Sequence, residues 1–249
     1  MDMKSIKINV PTSLKDITLE QYQLWMQEIK NYETKEEGGK ELSELEKNKL
    51  DDNLRQKMVQ IFCNTSLTAV RGMRRNDFIK LSNNLGAVLE EQPILQPVIT
   101  VRDKKFGFIP NLHKHMILGE YIDLDDFMKD WDNYHKAMAV LYRPILLGPN
   151  KRSQYTIAPY NDEQKYDDLM RHISMDIVMG SVIFFYNLSK QLLEITPNYL
   201  RLLIEEKKDL AVLLEKSGAG INTYTHSLEE ACLRLKELLN YASVKPYYS

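Results

Sequence analysis

Apolar residues recur along most of the chain at the three- and four-residue intervals of a helix. Thr18 and Gln21 form a capping box ahead of Leu19, Tyr22, Met26 and Ile29, which predicts a first helix ending near Tyr32. Residues 33–41 (ETKEEGGKE) are charged and hold two glycines, so they read as a solvated loop. Ser43 with Glu46 caps a second helix whose stripe is Leu50, Leu54, Met58 and Ile61. Ser66 caps a short helix over 67–72. Asp77 then precedes a third helical face of Phe78, Leu81, Leu85, Val88 and Leu89, closed by Pro93 and Pro97.

The period shortens at 98–109 (VITVRDKKFGFI). Two β-rich runs, Val98–Val101 and Lys105–Ile109, flank a polar turn at Arg102–Lys104 and predict a hairpin. Residues 6–10 (IKINV) alternate and suggest a short edge strand. A helical turn is expected around Leu118–Tyr121. Asp123 or Asp125 then caps a helix through Phe127, Trp131, Tyr134, Met138 and Leu141, stopped by Pro144. Extended structure is expected at Gln154–Ile157 within the loop 146–162. Ser174 opens an apolar helix reaching about Ile195, and Pro197 starts another through Leu200, Leu203, Ile204, Leu210 and Leu214, stopped by Gly218 and Gly220. Ser227 with Glu230 caps a last helix carrying Leu228, Cys232, Leu235 and Leu239. The fold class is therefore mainly α: a multi-helix, bundle-like domain over 1–196 with one small β-hairpin near 98–109, and a C-terminal helical extension over 197–249.

Composition narrows the function classes. Lys plus Arg number 33 against 35 Asp plus Glu, a net charge of −2, so the chain lacks the overall basic surface that holds nucleic acid. The most apolar run, Ile177–Leu188, covers 12 residues, too short to span a bilayer, which takes about 20. No membrane association is expected. Cys63 and Cys232 are isolated, with no CxxC pair, and read as reduced thiols of a cytoplasmic protein.

The chemistry-bearing patterns fall short of known sites. Asp123, Asp125 and Asp126 resemble the start of a calcium loop, but the required glycine and glutamate positions hold Met128 and Tyr134. Helix capping accounts for these carboxylates. His113 and His115 lie two residues apart and lack further metal ligands; a solvated loop accounts for them, and with Asp125 they would matter only as the lining of a polar cleft. Phosphate-cradling glycine motifs, GxSxG and HExxH are absent. Neither a catalytic residue, a metal nor a cofactor is assigned. Arg71, Arg74 and Arg75 form the densest basic cluster, suited to phosphates or an acidic partner. Fourteen tyrosines and 11 methionines favour an adaptable contact surface, though both residues also fill cores.

Five stretches carry a resemblance taken together: 16–22 (DITLEQY), 107–112 (GFIPNL), 118–124 (LGEYIDL), 136–145 (KAMAVLYRPI) and 180–186 (GSVIFFY). In this order and spacing they resemble a family of tailed-bacteriophage virion-assembly proteins of the tail assembly chaperone-like kind, over about residues 14–196. The resemblance implies a non-enzymatic factor in the host cell cytoplasm that binds phage tail proteins reversibly, the tape-measure protein among them, by shielding apolar stripes of a helical partner. It also admits a permanent minor virion component of the neck or baseplate. A nucleic-acid-associated phage factor using the three arginines is the remaining alternative. As partner-binding residues the expectation names Tyr22, Trp25, Tyr121, Trp131 and Tyr134 with Arg71, Arg74 and Arg75, core burial being the competing role for at least half of the aromatics.

Overall fold

The computed structural model describes residues 8–36, 43–110, 116–147, 155–160 and 166–187, and Leu233. Helices dominate, with one small antiparallel sheet, in keeping with the mainly α class that the periodicity predicts. The chain divides into two compact units. Among the described residues, the first holds 8–91 and Gln96–Val178, and the second holds Gln92–Leu95 and 179–187.

In the first unit, helices α1 (Leu19–Glu36), α2 (Glu44–Phe62), α3 (Leu67–Arg71) and α4 (Arg75–Leu89) follow one another. The Gln21 backbone N–H donates to Thr18 Oγ1 at 3.2 Å and the Thr18 N–H to Gln21 Oε1 at 3.0 Å, so α1 starts on the capping box. It runs past Tyr32 to Glu36. Its stripe of Leu19, Tyr22, Met26 and Ile29 is buried, together with Trp25. Helix α2 packs on this face through Met58, Val59 and Phe62, and its Ser43–Glu46 box is formed. Gln21 Nε2 donates to the Ile61 carbonyl at 2.9 Å, which also accepts the Asn64 N–H at 3.2 Å, and so joins α1 to the last turn of α2. Ser66 caps α3 by accepting the Ala69 N–H at 3.1 Å.

Strands β1 (Val98–Val101) and β2 (Lys104–Phe108) form the expected hairpin, and Arg102 and Asp103 both turn with positive φ, 44° and 68°, the hand of a type I′ turn. The sheet does not stop there. Strands β3 (Tyr142–Leu147) and β4 (Thr156–Ile157) extend it in the order β1-β2-β3-β4. Pro144 therefore does not stop a helix in a loop; it lies inside a strand. It sits where β3 leaves β2, whose register ends at Phe106↔Pro144, and takes up β4 at Ile145↔Ile157. At that hand-over a missing N–H costs little.

The helix expected across Asp123–Leu141 is two helices, α5 (Leu118–Phe127) and α6 (Tyr134–Leu141). Asp130 breaks the run: its carboxylate accepts the Asp132 N–H at 3.2 Å and sets a 3-10 turn at Trp131–Asn133. Lys30 of α1 then holds Asp130 at 2.6 Å and Asp132 at 3.4 Å. The short helix α7 (Asp167–Met170) precedes α8, over 175–187. Residues 8–10 belong to no strand, contrary to the edge strand expected at 6–10, whose first two residues lie outside the described ones. The helices expected beyond Pro197, and with them the extension 197–249, also lie outside the described residues, Leu233 apart.

In the second unit, a Cβ on Gly180 of α8 would lie 2.6 Å from the Ile94 carbonyl oxygen, so the helix passes Gln92–Leu95 at a distance only glycine permits.

Candidate functional site

Four of the five aromatic residues expected on a docking surface are interior. Tyr22, Trp25, Trp131 and Tyr134 are each 3% exposed or less. The Trp131 ring stacks on Tyr134 with centroids 4.0 Å apart and meets Tyr22 edge-on at 4.7 Å, while Trp25 packs on Phe62 at 5.9 Å. The cause is the 3-10 turn, which aims Trp131 at α1 while Asp130 and Asp132 stay outside on Lys30. Burial pushes the Tyr22 and Tyr134 phenols well above their ordinary range. Their hydroxyls, and both indole N–H groups, are buried without a hydrogen-bond partner. These four residues are core and offer no surface. Tyr121 lies on α5, its side chain outside what the structure describes.

A buried polar cluster lies beside them. Gln23 Nε2 donates to the carbonyls of Trp131 at 2.7 Å and Asp132 at 3.1 Å. Arg171 donates to Gln23 Oε1 at 3.3 Å and lies 2.9 Å from His135 Nε2. A guanidinium only donates, so Nε2 accepts from Arg171, while Nδ1 lies 3.1 Å from Gln23 Nε2. Burial, then Arg171 and Lys136, lower the His135 pKa to about 4. With both ring nitrogens engaged, this histidine ties α1, α6 and the α7 region together.

Several further titratable groups are similarly occupied. Glu120 and Arg143 form a buried ion pair at 2.6 Å, and Glu120 also accepts the Ile117 N–H at 2.9 Å, closing the start of α5. Asp123 accepts from the Tyr160 hydroxyl, and Asp125 and Asp126 pair with Lys129 at 3.5 and 3.2 Å. The DLDD carboxylates thus meet a phenol and an ammonium. No group of three metal-ligating side chains occurs among the described residues, and His113 and His115 lie outside them. Cys63 is free and buried, which pushes its thiol up to about 11 and withholds the thiolate at neutral pH.

The basic cluster is where the structure opens. Arg71, Arg74 and Arg75 are exposed on the α3–α4 corner. Arg71 and Arg75 line a cleft of about 870 Å³ against α2, whose wall supplies Asn48, Asp52, Arg55 and Gln56. Val70, Met73, Phe78 and Ile79 give the cleft an apolar component. Arg74 lies beside the cleft rather than on it. Arg71 Nε donates to Gln56 Oε1 at 3.0 Å, an exposed contact from α3 to α2. The same two side chains also line a second cleft of about 210 Å³, with Tyr32, Leu50, Leu54 and Leu67. The volume of the larger cleft lies within the range of ligand sites. The charged lining residues are Arg55, Arg71, Arg75 and one carboxylate, Asp52. Arg55, Met73 and Ile79 escaped the sequence reading. One signal was present: Phe78 and Ile79 are adjacent, so the apolar arc of α4 is wider than one core-facing stripe needs.

No helix among the described residues is long and apolar enough to cross a membrane. Compared with protein families, curated proteins and solved structures, the chain matches none.

Proposed function

We propose that this protein is a tail assembly chaperone-like factor of a tailed bacteriophage, acting in the host cytoplasm by reversible protein–protein contact and making or breaking no bond. The five stretches over residues 14–196 support the phage setting. The observation that carries the binding mode is the cleft between α2 and α4: an arginine-rimmed, partly apolar opening on packed helices. Reversible binding suits a mixed surface of this kind, because exposed ion pairs are worth little singly and add selectivity to a modest apolar contact.

Co-purification of the tagged full chain from infected cells tests the reading. Recovery of the tape-measure protein or another tail protein, together with absence of the chain from purified particles, is the expected result. Presence in particles at fixed copy number would instead make it a neck or baseplate component. Recovery of no virion protein would remove the phage reading.

A further inference from the structure

We infer that the α2–α4 cleft is a docking groove for an acidic amphipathic helix of a partner protein, whose apolar side chains enter against Met73, Phe78 and Ile79 while its carboxylates pair with Arg71 and Arg75. This deepens the protein-contact reading and rests on it, though not on its phage setting.

Charge and dimensions carry the argument. Lining residues run from Asn48 to Gln56 on α2 and from Arg75 to Asn83 on α4. Each wall is thus about 12 Å long at 1.5 Å per residue. That length matches two turns of a bound helix, the span of anchors at i, i+3 or i+4, and i+7. Val70 is buried and Met73, Phe78 and Ile79 are half-buried, so an apolar contact is available inside the rim. Arg71 and Arg75 stand exposed on the rim, and guanidinium is the cation best matched to carboxylates in two-point contact. A nucleic acid fits less well: Asp52 on one wall and Asp77 in the first turn of α4 repel a polyphosphate, whereas a peptide helix can place its carboxylates away from them.

The test uses the full chain and two labelled synthetic helices, one with leucines at i, i+3, i+4 and i+7 and glutamates elsewhere, the other with lysine for every glutamate. Fluorescence anisotropy at low salt should show saturable binding of the glutamate peptide and none of the lysine peptide. Arg71→Glu with Arg75→Glu should weaken binding at least about tenfold. Ile79→Ala, which changes no charge, should weaken it several-fold, and thermal melts of both variants confirm that they fold. Equal binding of the lysine peptide, or binding untouched by the arginine reversals, would overturn the proposal. So would displacement of the peptide by an oligothymidine of equal length, or wild-type self-association that the reversals abolish, since these assign the groove to nucleic acid or to a second copy. The two levels separate cleanly. Peptide binding without recovery of a tail protein keeps the groove and removes the phage reading. Undiminished recovery of a tail protein by the double variant does the reverse.

Discussion

Two glycines, Gly107 and Gly180, are set by close approach. At Gly107 a Cβ would lie 2.3 Å from the Tyr155 ring, which covers the bare backbone of β2 while its hydroxyl lies 2.6 Å from the Phe108 carbonyl. At Gly180 the obstacle is backbone, the Ile94 carbonyl. Alanine there gains up to about 1 kcal/mol of helix propensity but meets an overpacking cost of about 1–3 kcal/mol, and the clash wins because a peptide group cannot swing aside. Gly180→Ala should therefore lower the melting temperature by a few degrees, and a rise would refute the contact. Titration gives a second prediction at this scale. His135 falls from 6.5 to about 4 in the folded chain, so the unfolded chain takes up the proton first and stability drains as pH falls from about 6.5 to about 4. Asp167, half-buried, rises from 3.8 to about 6, so the folded chain holds that proton more tightly and stability grows as pH falls through nearly the same window. The two oppose each other. Asp167→Asn should expose the loss due to His135, seen as a urea midpoint that drops more steeply than wild type between about pH 6.5 and 4.5. Equal slopes would show that the two sites do not offset.

Elements were legible where one local rule decided them. The Thr18–Gln21 and Ser43–Glu46 boxes and the Ser66 cap are formed as their spacing predicts, because each needs only neighbours in sequence. Expectation and structure part where two rules compete. Phe127, Trp131, Tyr134, Met138 and Leu141 keep helical spacing across a break that Asp130 makes and Lys30, a hundred residues earlier, secures. Pro144 signals a helix end equally well whether loop or strand follows, and only the pairing with β2 and β4 decides. The hairpin turn offers a test of its own. Arg102 and Asp103 hold the positive φ that type I′ demands, a conformation asparagine and glycine adopt at lower cost. Arg102→Asn with Asp103→Gly should stabilise the chain by about 1 kcal/mol in urea unfolding, and no gain would mean that the turn is not the one described.

At the scale of the whole molecule, apolar periodicity located the α1 core face, and charge clustering named Arg71 and Arg75 without the cleft they line, for one physical reason. A core stripe is written along a single helix, as in Leu19, Tyr22, Met26 and Ile29, all buried. The cleft exists only once Arg55 of α2, Arg71 of α3 and Arg75 of α4 converge, and no local pattern records that meeting. The same reason separates the two groups named together from the sequence. Tyr22, Trp25, Trp131 and Tyr134 contribute buried area and hold the fold, whereas the arginines contribute charge at a surface and cost little to replace. Trp25→Ala should cost about 3–5 kcal/mol, enough to unfold much of a marginally stable chain. Tyr134→Phe removes a buried hydroxyl that has no partner, so it should be neutral or slightly stabilising. Arg75→Glu should leave the melting temperature within about 1–2 °C of wild type while weakening capture of the glutamate peptide. If Arg75→Glu instead melted the protein as Trp25→Ala does, the arginines would be holding the helices together, and the cleft would be a seam of the fold with no docking role.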